Sequence, residues 1–152
     1  KEYRRQRQMC IRDRLIDKLK NEITLSSIIA DKRKLVLKFS PQNCYPCIEF
    51  SMSCLEKFAL SIPNIKERLL IIISDANYRE YQAISNSLQS DIPIYLSKDT
   101  TLSTILKEEN TPFIFVMDER LYMDDLFIPI KELPNYSDLY FHIMKTKYFR
   151  NL

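Results

Sequence analysis

Apolar and polar positions change period several times along this chain, and each change predicts an element. Between Arg14 and Asn21, Leu15, Ile16 and Leu19 recur at helical spacing and predict a short helix. "ADKRK" (Ala30–Lys34) reads as a charged turn. "LVLKF" (Leu35–Phe39) reads as a buried strand, broken by Pro41 and Asn43. A helix follows. Ile48, Met52, Leu55 and Ala59 form one apolar stripe, and Cys47, Phe50, Cys54 and Phe58 a neighbouring one; Glu49, Ser53, Glu56 and Lys57 are left for solvent. So wide an arc predicts broad packing against a sheet, with an end near Pro63 and Asn64.

"RLLIIIS" (Arg68–Ser74) is a continuous apolar run, the pattern of a strand covered on both faces. Residues 78–89 predict a helix with Tyr81, Ile84 and Leu88 aligned. "IPIYL" (Ile92–Leu96) predicts a strand with Pro93 near its start or at an edge. Residues 101–108 predict a short helix, and "FIFVM" (Phe113–Met117) a strand that turns through "DER" into another around Leu121–Ile128. Asn135 is expected to cap a last helix with Leu139, Tyr140, Ile143 and Met144 inward. The order predicts a three-layer α/β fold, a central mixed sheet with helices on both faces. The early strands should be parallel and buried, and the late hairpin antiparallel at one side.

The chain has 152 residues, enough for one domain with a real core. No run approaches the roughly 18 apolar residues of a membrane span, and no signal-peptide pattern is present. The chain opens on Lys1 and is expected to be a fragment, which leaves room for a lost N-terminal anchor. Residues 1–14 carry six Lys/Arg against Glu2 and Asp13, whereas the rest has 17 basic and 18 acidic residues. The tail reads as a solvated basic arm on a domain spanning 15–152. A nucleic-acid footprint is not expected, because such patches sit on the folded body. "RQMCIRDR" also resembles translated adapter sequence, so Cys10 is set aside with it. Glycine is absent. This excludes Gly-rich phosphate loops and leaves positive-φ turns to Asn or Asp, with Asn43, Asn64, Asn77, Asp91, Asp118 and Asn135 as candidates.

The chemistry concentrates in "VLKFSPQNCYPCIEF" (Val36–Phe50). Cys44 and Cys47 stand two residues apart where a buried strand gives way to a helix. Such a pair can be a redox couple, half of a metal site, or two inert thiols. The first turn of a helix has unpaired N–H groups and partial positive charge, so a thiolate at Cys44 is stabilised and its pKa should fall. Cys47 lies one turn deeper, within reach of the Cys44 sulfur, and Pro46 suits a first turn. Cys44 would then attack and Cys47 resolve. Zinc wants four ligands. The remaining supply is Cys54, about 10 Å further along the helix, the doubtful Cys10, and His142, so no metal is expected. His142 reads as a surface or satisfied histidine, Cys54 as a core residue, and the adjacent Asp124 and Asp125 as solvated.

"VLKFSPQNCYPC" resembles the strand–loop–C-x-x-C opening of thioredoxin-like proteins, and "TPFIFVMD" (Thr111–Asp118) resembles the Thr-Pro-strand-Asp segment that follows it in them. The resemblance covers about Leu35 to Tyr148. It implies that Pro112 is cis and faces the cysteines, with Thr111 presenting its backbone to an extended substrate. Tyr45 and Pro46 would flank the substrate as well. Sixty-five positions separate Cys47 from Pro112, which leaves room for an extra helix and strand, as in the bacterial envelope branch of TlpA/ResA type. That branch implies a periplasmic or envelope location, protein thiols or disulfides as substrates, a redox partner protein, and no bound cofactor. Three positions depart from the pattern. Asn43 replaces the tryptophan before the pair, the dipeptide is Tyr-Pro, and Lys38 stands where thioredoxins carry a buried acid. A cation there would favour thiolate at Cys44; alternatively Lys38 snorkels from a sheet edge. The expected activity is thiol–disulfide exchange, the alternative a redox-inactive thioredoxin-fold binding module of the cell envelope.

Overall fold

The structure, a computed structural model, describes residues 14–98 and 111–152. The helix expected at 101–108, Cys10 and residues 1–13 lie outside the described residues. The elements in order are β1 (Arg14–Ile16), β2 (Glu22–Thr24), α1 (Leu25–Ile29), β3 (Lys34–Phe39), α2 (Tyr45–Ser61), a 3-10 turn (Ile65–Arg68), β4 (Leu69–Ile73), α3 (Tyr78–Leu88), β5 (Ile94–Ser97), β6 (Phe113–Met117), β7 (Met123–Phe127) and α4 (Pro134–Tyr148). They form a seven-stranded mixed sheet in the order β2-β1-β5-β4-β3-β6-β7.

The centre is built from the most apolar segments. β3 runs parallel to β4, and β4 parallel to β5, whereas β6 and β7 are antiparallel at one side. β4 is buried throughout. Its side chains alternate between two core layers. Leu69, Ile71 and Ile73 join Leu35, Leu37 and Phe39 beneath α2 and α4, where they meet Ile48, Met52, Leu55 and Phe58. Leu70 and Ile72 join Val36, Phe113 and Phe115 on the other face, which α1 covers with Leu25 and Ile29. Pro93 immediately precedes β5, and its carbonyl accepts the Ile71 N–H at 2.9 Å. It therefore opens an internal strand, where its missing N–H costs no ladder bond.

Three expectations are corrected. The helix expected over Arg14–Asn21 is instead β1 and a tight turn. Leu15 and Ile16 pair with Ser97 and Leu96 of β5 and with Ile23 and Glu22 of β2. Asp17 closes the turn by accepting the N–H groups of Leu19 and Asn21 at 2.9 and 2.8 Å, and Leu19 is left 81% exposed. An available strand edge outcompetes a helix too short to nucleate alone. The last helix begins two residues earlier than expected, with Leu133 rather than Asn135 at its N-cap and Pro134 at its start. Its inward residues are Ser137, Tyr140, Phe141 and Met144, while Leu139 and Ile143 face out. Asp125 is not simply solvated. It accepts hydrogen bonds from Lys147 Nζ at 3.0 and 3.2 Å and from the Tyr148 hydroxyl, and its carbonyl accepts the Tyr140 hydroxyl at 2.8 Å.

The absence of glycine is met differently from the expectation. Positive φ occurs at Lys20, Ala30, Asn64, Asp75, Gln89, Leu121 and Asp125. Of the six expected positions only Asn64 has positive φ. Asn77 and Asp118 instead use their side chains as local acceptors, for the N–H groups of Glu80 and of Arg120 and Tyr122. Gln89 ends α3 in the left-handed region, at φ 48° and ψ 40°. A side chain costs about 1 kcal/mol or more there, and glycine does not. Gln89→Gly is therefore expected to raise the urea midpoint by up to about 1 kcal/mol of stability, offset in part by the greater freedom of glycine in the unfolded chain. A lowered midpoint would mean that the cap is not left-handed.

Candidate active site

The sequence places the site by ending a buried strand and starting a helix within five residues. β3 stops at Phe39, and the loop Ser40–Asn43 is folded on itself. The Asn43 side-chain oxygen accepts the Ser40 N–H at 2.9 Å, and the Asn43 N–H returns to the Ser40 carbonyl at 3.0 Å. The Ser40 hydroxyl donates to the Gln42 side-chain carbonyl, and Gln42 Nε2 reaches the carbonyl of Asp75 at 3.3 Å. The loop is thus tied to the turn that follows β4. Asn43 was expected as a positive-φ residue; it acts here as a buried side-chain acceptor. Ser40, Gln42 and Asp75 were not singled out from the sequence. The only signal for them was the polar S-x-x-N spacing, which favours local side-chain-to-backbone turns.

Cys44 is the N-cap of α2. Its sulfur accepts the Cys47 N–H at 3.2 Å, and its carbonyl accepts the N–H groups of Cys47 and Ile48, both at 3.0 Å. Pro46 occupies the first turn, where no N–H bond is lost. Cys44 is exposed and Cys47 half-buried. The two form a disulfide with their Cα atoms 5.2 Å apart. No acidic residue stands in the first turn, so nothing there opposes the positive end of the helix. Glu49 points to solvent. Tyr45 is 62% exposed beside the disulfide, with Pro46 exposed next to it.

Thr111 and Pro112 come to the same end of the sheet. β6 lies antiparallel to β3 with Phe113 opposite Lys38. The two residues before Phe113 therefore lie where β3 leaves for the Cys44 loop. Thr111 is half-buried and Pro112 buried. The expected cis bond is absent, because no peptide bond among the described residues is cis. Thr111–Pro112 keeps the trans form, which an X–Pro bond favours by about 0.5–1 kcal/mol.

Lys38 is neither at an edge nor snorkelling. It sits in a central strand, is only 6% exposed, and holds its ammonium 5.0 Å from the centre of the Phe113 ring. By strand alternation it shares the face of Val36, opposite the one that packs on α2. Burial lowers its pKa from the ordinary lysine value, and the charge of Asp75 opposes that only in part. Between the lowered folded value and the unfolded value the unfolded chain binds more protons, so stability rises with pH across that window. Lys38→Met is expected to stabilise the protein at pH 7 by about 1 kcal/mol or more. The gap between variant and wild type should narrow as pH rises through the folded pKa. Denaturant midpoints measured from pH 7 to 10 check both; a constant gap would remove the burial penalty.

Cys54 packs against the core from its border. It is a half-buried free thiol further along α2, and burial pushes its pKa up. His142 is exposed on α4.

No protein-family model and no curated protein matches the chain. Solved structures do. The exposed lipoprotein thioredoxin of Streptococcus pneumoniae superposes with a TM-score of 0.63 at 13% identity, over 88% of this chain and 98% of that one. A thioredoxin-like protein of Porphyromonas gingivalis gives 0.63 at 12% identity, over 95% and 97%. The thioredoxin domain of a thiol-disulfide oxidoreductase from Bacteroides vulgatus gives 0.57 at 14%, over 88% and 96%. The chain has the thioredoxin-like α/β fold, and its Cys44–Cys47 disulfide caps the helix that follows the central strand β3.

Proposed function

We propose that this protein is a thiol–disulfide oxidoreductase of TlpA/ResA type that exchanges disulfides with protein cysteines. The observation that carries the proposal is the disulfide at the N-cap of α2, with Cys44 exposed and Cys47 half-buried. In the reducing direction the Cys44 thiolate attacks one sulfur of a substrate disulfide. A mixed disulfide forms and the second substrate sulfur leaves as thiolate. The Cys47 thiolate then attacks the Cys44 sulfur, which restores the internal disulfide and releases the substrate as dithiol. Two electrons pass to the substrate, and a dithiol redox partner must return them. The reverse sequence oxidises a substrate dithiol with the same atoms. Sulfur and protons suffice, so no cofactor takes part.

The amides of the first turn stabilise the Cys44 thiolate, both as attacking group and as leaving group. Tyr45 and Pro46 border the exposed sulfur, and Thr111 and Pro112 form the facing wall of the substrate groove. Lys38 adds positive potential from beneath the sheet and biases the pair toward the reduced, ionised form. A location in the bacterial periplasm or cell envelope goes with this reading, and the lipoprotein among the similar structures supports it.

The test is catalysis of insulin reduction by dithiothreitol, together with the pair's reduction potential in glutathione buffers. A rate above the dithiothreitol background supports the proposal, and the potential decides between reductant and oxidant. A rate equal to background would leave the redox-inactive binding module.

A further inference from the structure

Away from the disulfide, α2 and α4 enclose a cavity of about 510 Å³. Its volume is in the range of sites that take small organic ligands. Phe50, Phe58, Phe141 and Pro134 make an apolar lining, and the rings of Phe58 and Phe141 are 5.0 Å apart at its base. Cys54 also lines it, and burial keeps that thiol neutral. The polar groups are gathered on one side. Asp138, His142 and Lys145 are spaced four and three residues apart on α4 and so share one helix face, and Lys57 approaches from α2.

The charges of this rim are unbalanced. Lys57 pairs with Asp138 at 3.4 Å, and Asp138 is the only carboxylate lining the cavity. Lys145 has no carboxylate partner among the described residues. The site therefore offers an aromatic and thiol floor with one uncompensated cation at its mouth. Those two features together select an amphipathic anion. A phosphate or sulfate has no use for the floor, and a neutral lipid has none for Lys145.

We propose that the cavity between α2 and α4 binds a small amphipathic carboxylate, with the tail against Phe50, Phe58 and Phe141 and the carboxylate at Lys145 and His142. This site is separate from the disulfide and does not depend on the exchange chemistry.

Calorimetric titration of the oxidised protein with decanoate, octanoate and decanol tests it. Decanoate should bind saturably at one site below its micellar range. Octanoate should bind about fifteenfold more weakly, because each buried methylene contributes about fourfold. Lys145→Glu, an exposed substitution compatible with folding, should weaken decanoate about tenfold and leave decanol unchanged. Bound decanoate should also slow alkylation of Cys54, followed peptide by peptide by mass spectrometry. Cys54→Phe, which narrows the cavity beside Phe58 and Phe141, should weaken binding. The proposal is overturned by the absence of saturable decanoate binding, by equal affinity for octanoate and decanoate, or by indifference to Lys145→Glu. Association only with anionic vesicles, or only with a peptide, overturns it as well.

Discussion

On the proposed roles, Cys44→Ser should reduce insulin reduction to the uncatalysed background, a loss of roughly a thousandfold or more, because the attacking thiolate would be gone and serine does not replace it. Cys47→Ser should lose steady turnover to the same extent while keeping the first step. With Cys44 intact at the helix cap, that variant should form a mixed disulfide with substrate and hold it, visible as a higher-mass band that collapses on adding reductant. The reverse outcome, trapping by Cys44→Ser and none by Cys47→Ser, would exchange the two roles. The asymmetry rests on exposure. Cys44 is open to a substrate, whereas Cys47 lies half-buried one turn along and is placed to attack inward.

The second large effect is on stability. Leu55 lies at the middle of α2, fully buried against the sheet. Leu55→Ala removes buried methyl groups and leaves a cavity, so it should cost about 2–5 kcal/mol, a large part of the 5–15 kcal/mol typical of a whole domain. Urea unfolding should show a lower midpoint with an unchanged slope. A loss below about 1 kcal/mol would contradict the packing of α2 on β3 and β4. The same packing orients the cap, so Leu55→Ala should also broaden the range of Cys44 reactivity seen by alkylation.

The centre of the fold was legible because its segments allow one reading. "LVLKF" and "RLLIIIS" are too continuous for a half-exposed strand, and both became buried parallel strands. The cysteine pair was legible for a related reason. A strand-breaking proline, a capping position and a first-turn proline fix Cys44 within one residue of the helix start. The chain was ambiguous where short segments fit two periods. Leu15, Ile16 and Leu19 match a helix, and only the edge of β5, distant in sequence, decides for a strand. Residues 22–29 hold both β2 and α1, each too short to show a period of its own. In α4 the apolar residues go round most of the circumference, so periodicity alone did not choose Ser137 and Phe141 over Leu139 and Ile143 for the buried arc. The trans Thr111–Pro112 bond and the bracing of Ser40, Gln42 and Asn43 depend on contacts that no local pattern encodes.

Among the described residues the sheet ends in β2 on one side and β7 on the other. β2 has only three residues, and Glu22 holds both Arg14 and Lys98 across its border. β7 has an extra residue inserted between its pairings with Ile114 and Val116, where Asp125 turns to positive φ and is anchored by Lys147. A strand so short and a strand so bent are poor templates for a foreign chain. The proposed exchange with protein cysteines would bring unfolded, thiol-bearing polypeptides to this surface. Blunted borders would then let such clients be handled at the sulfur without drawing the sheet into their aggregates.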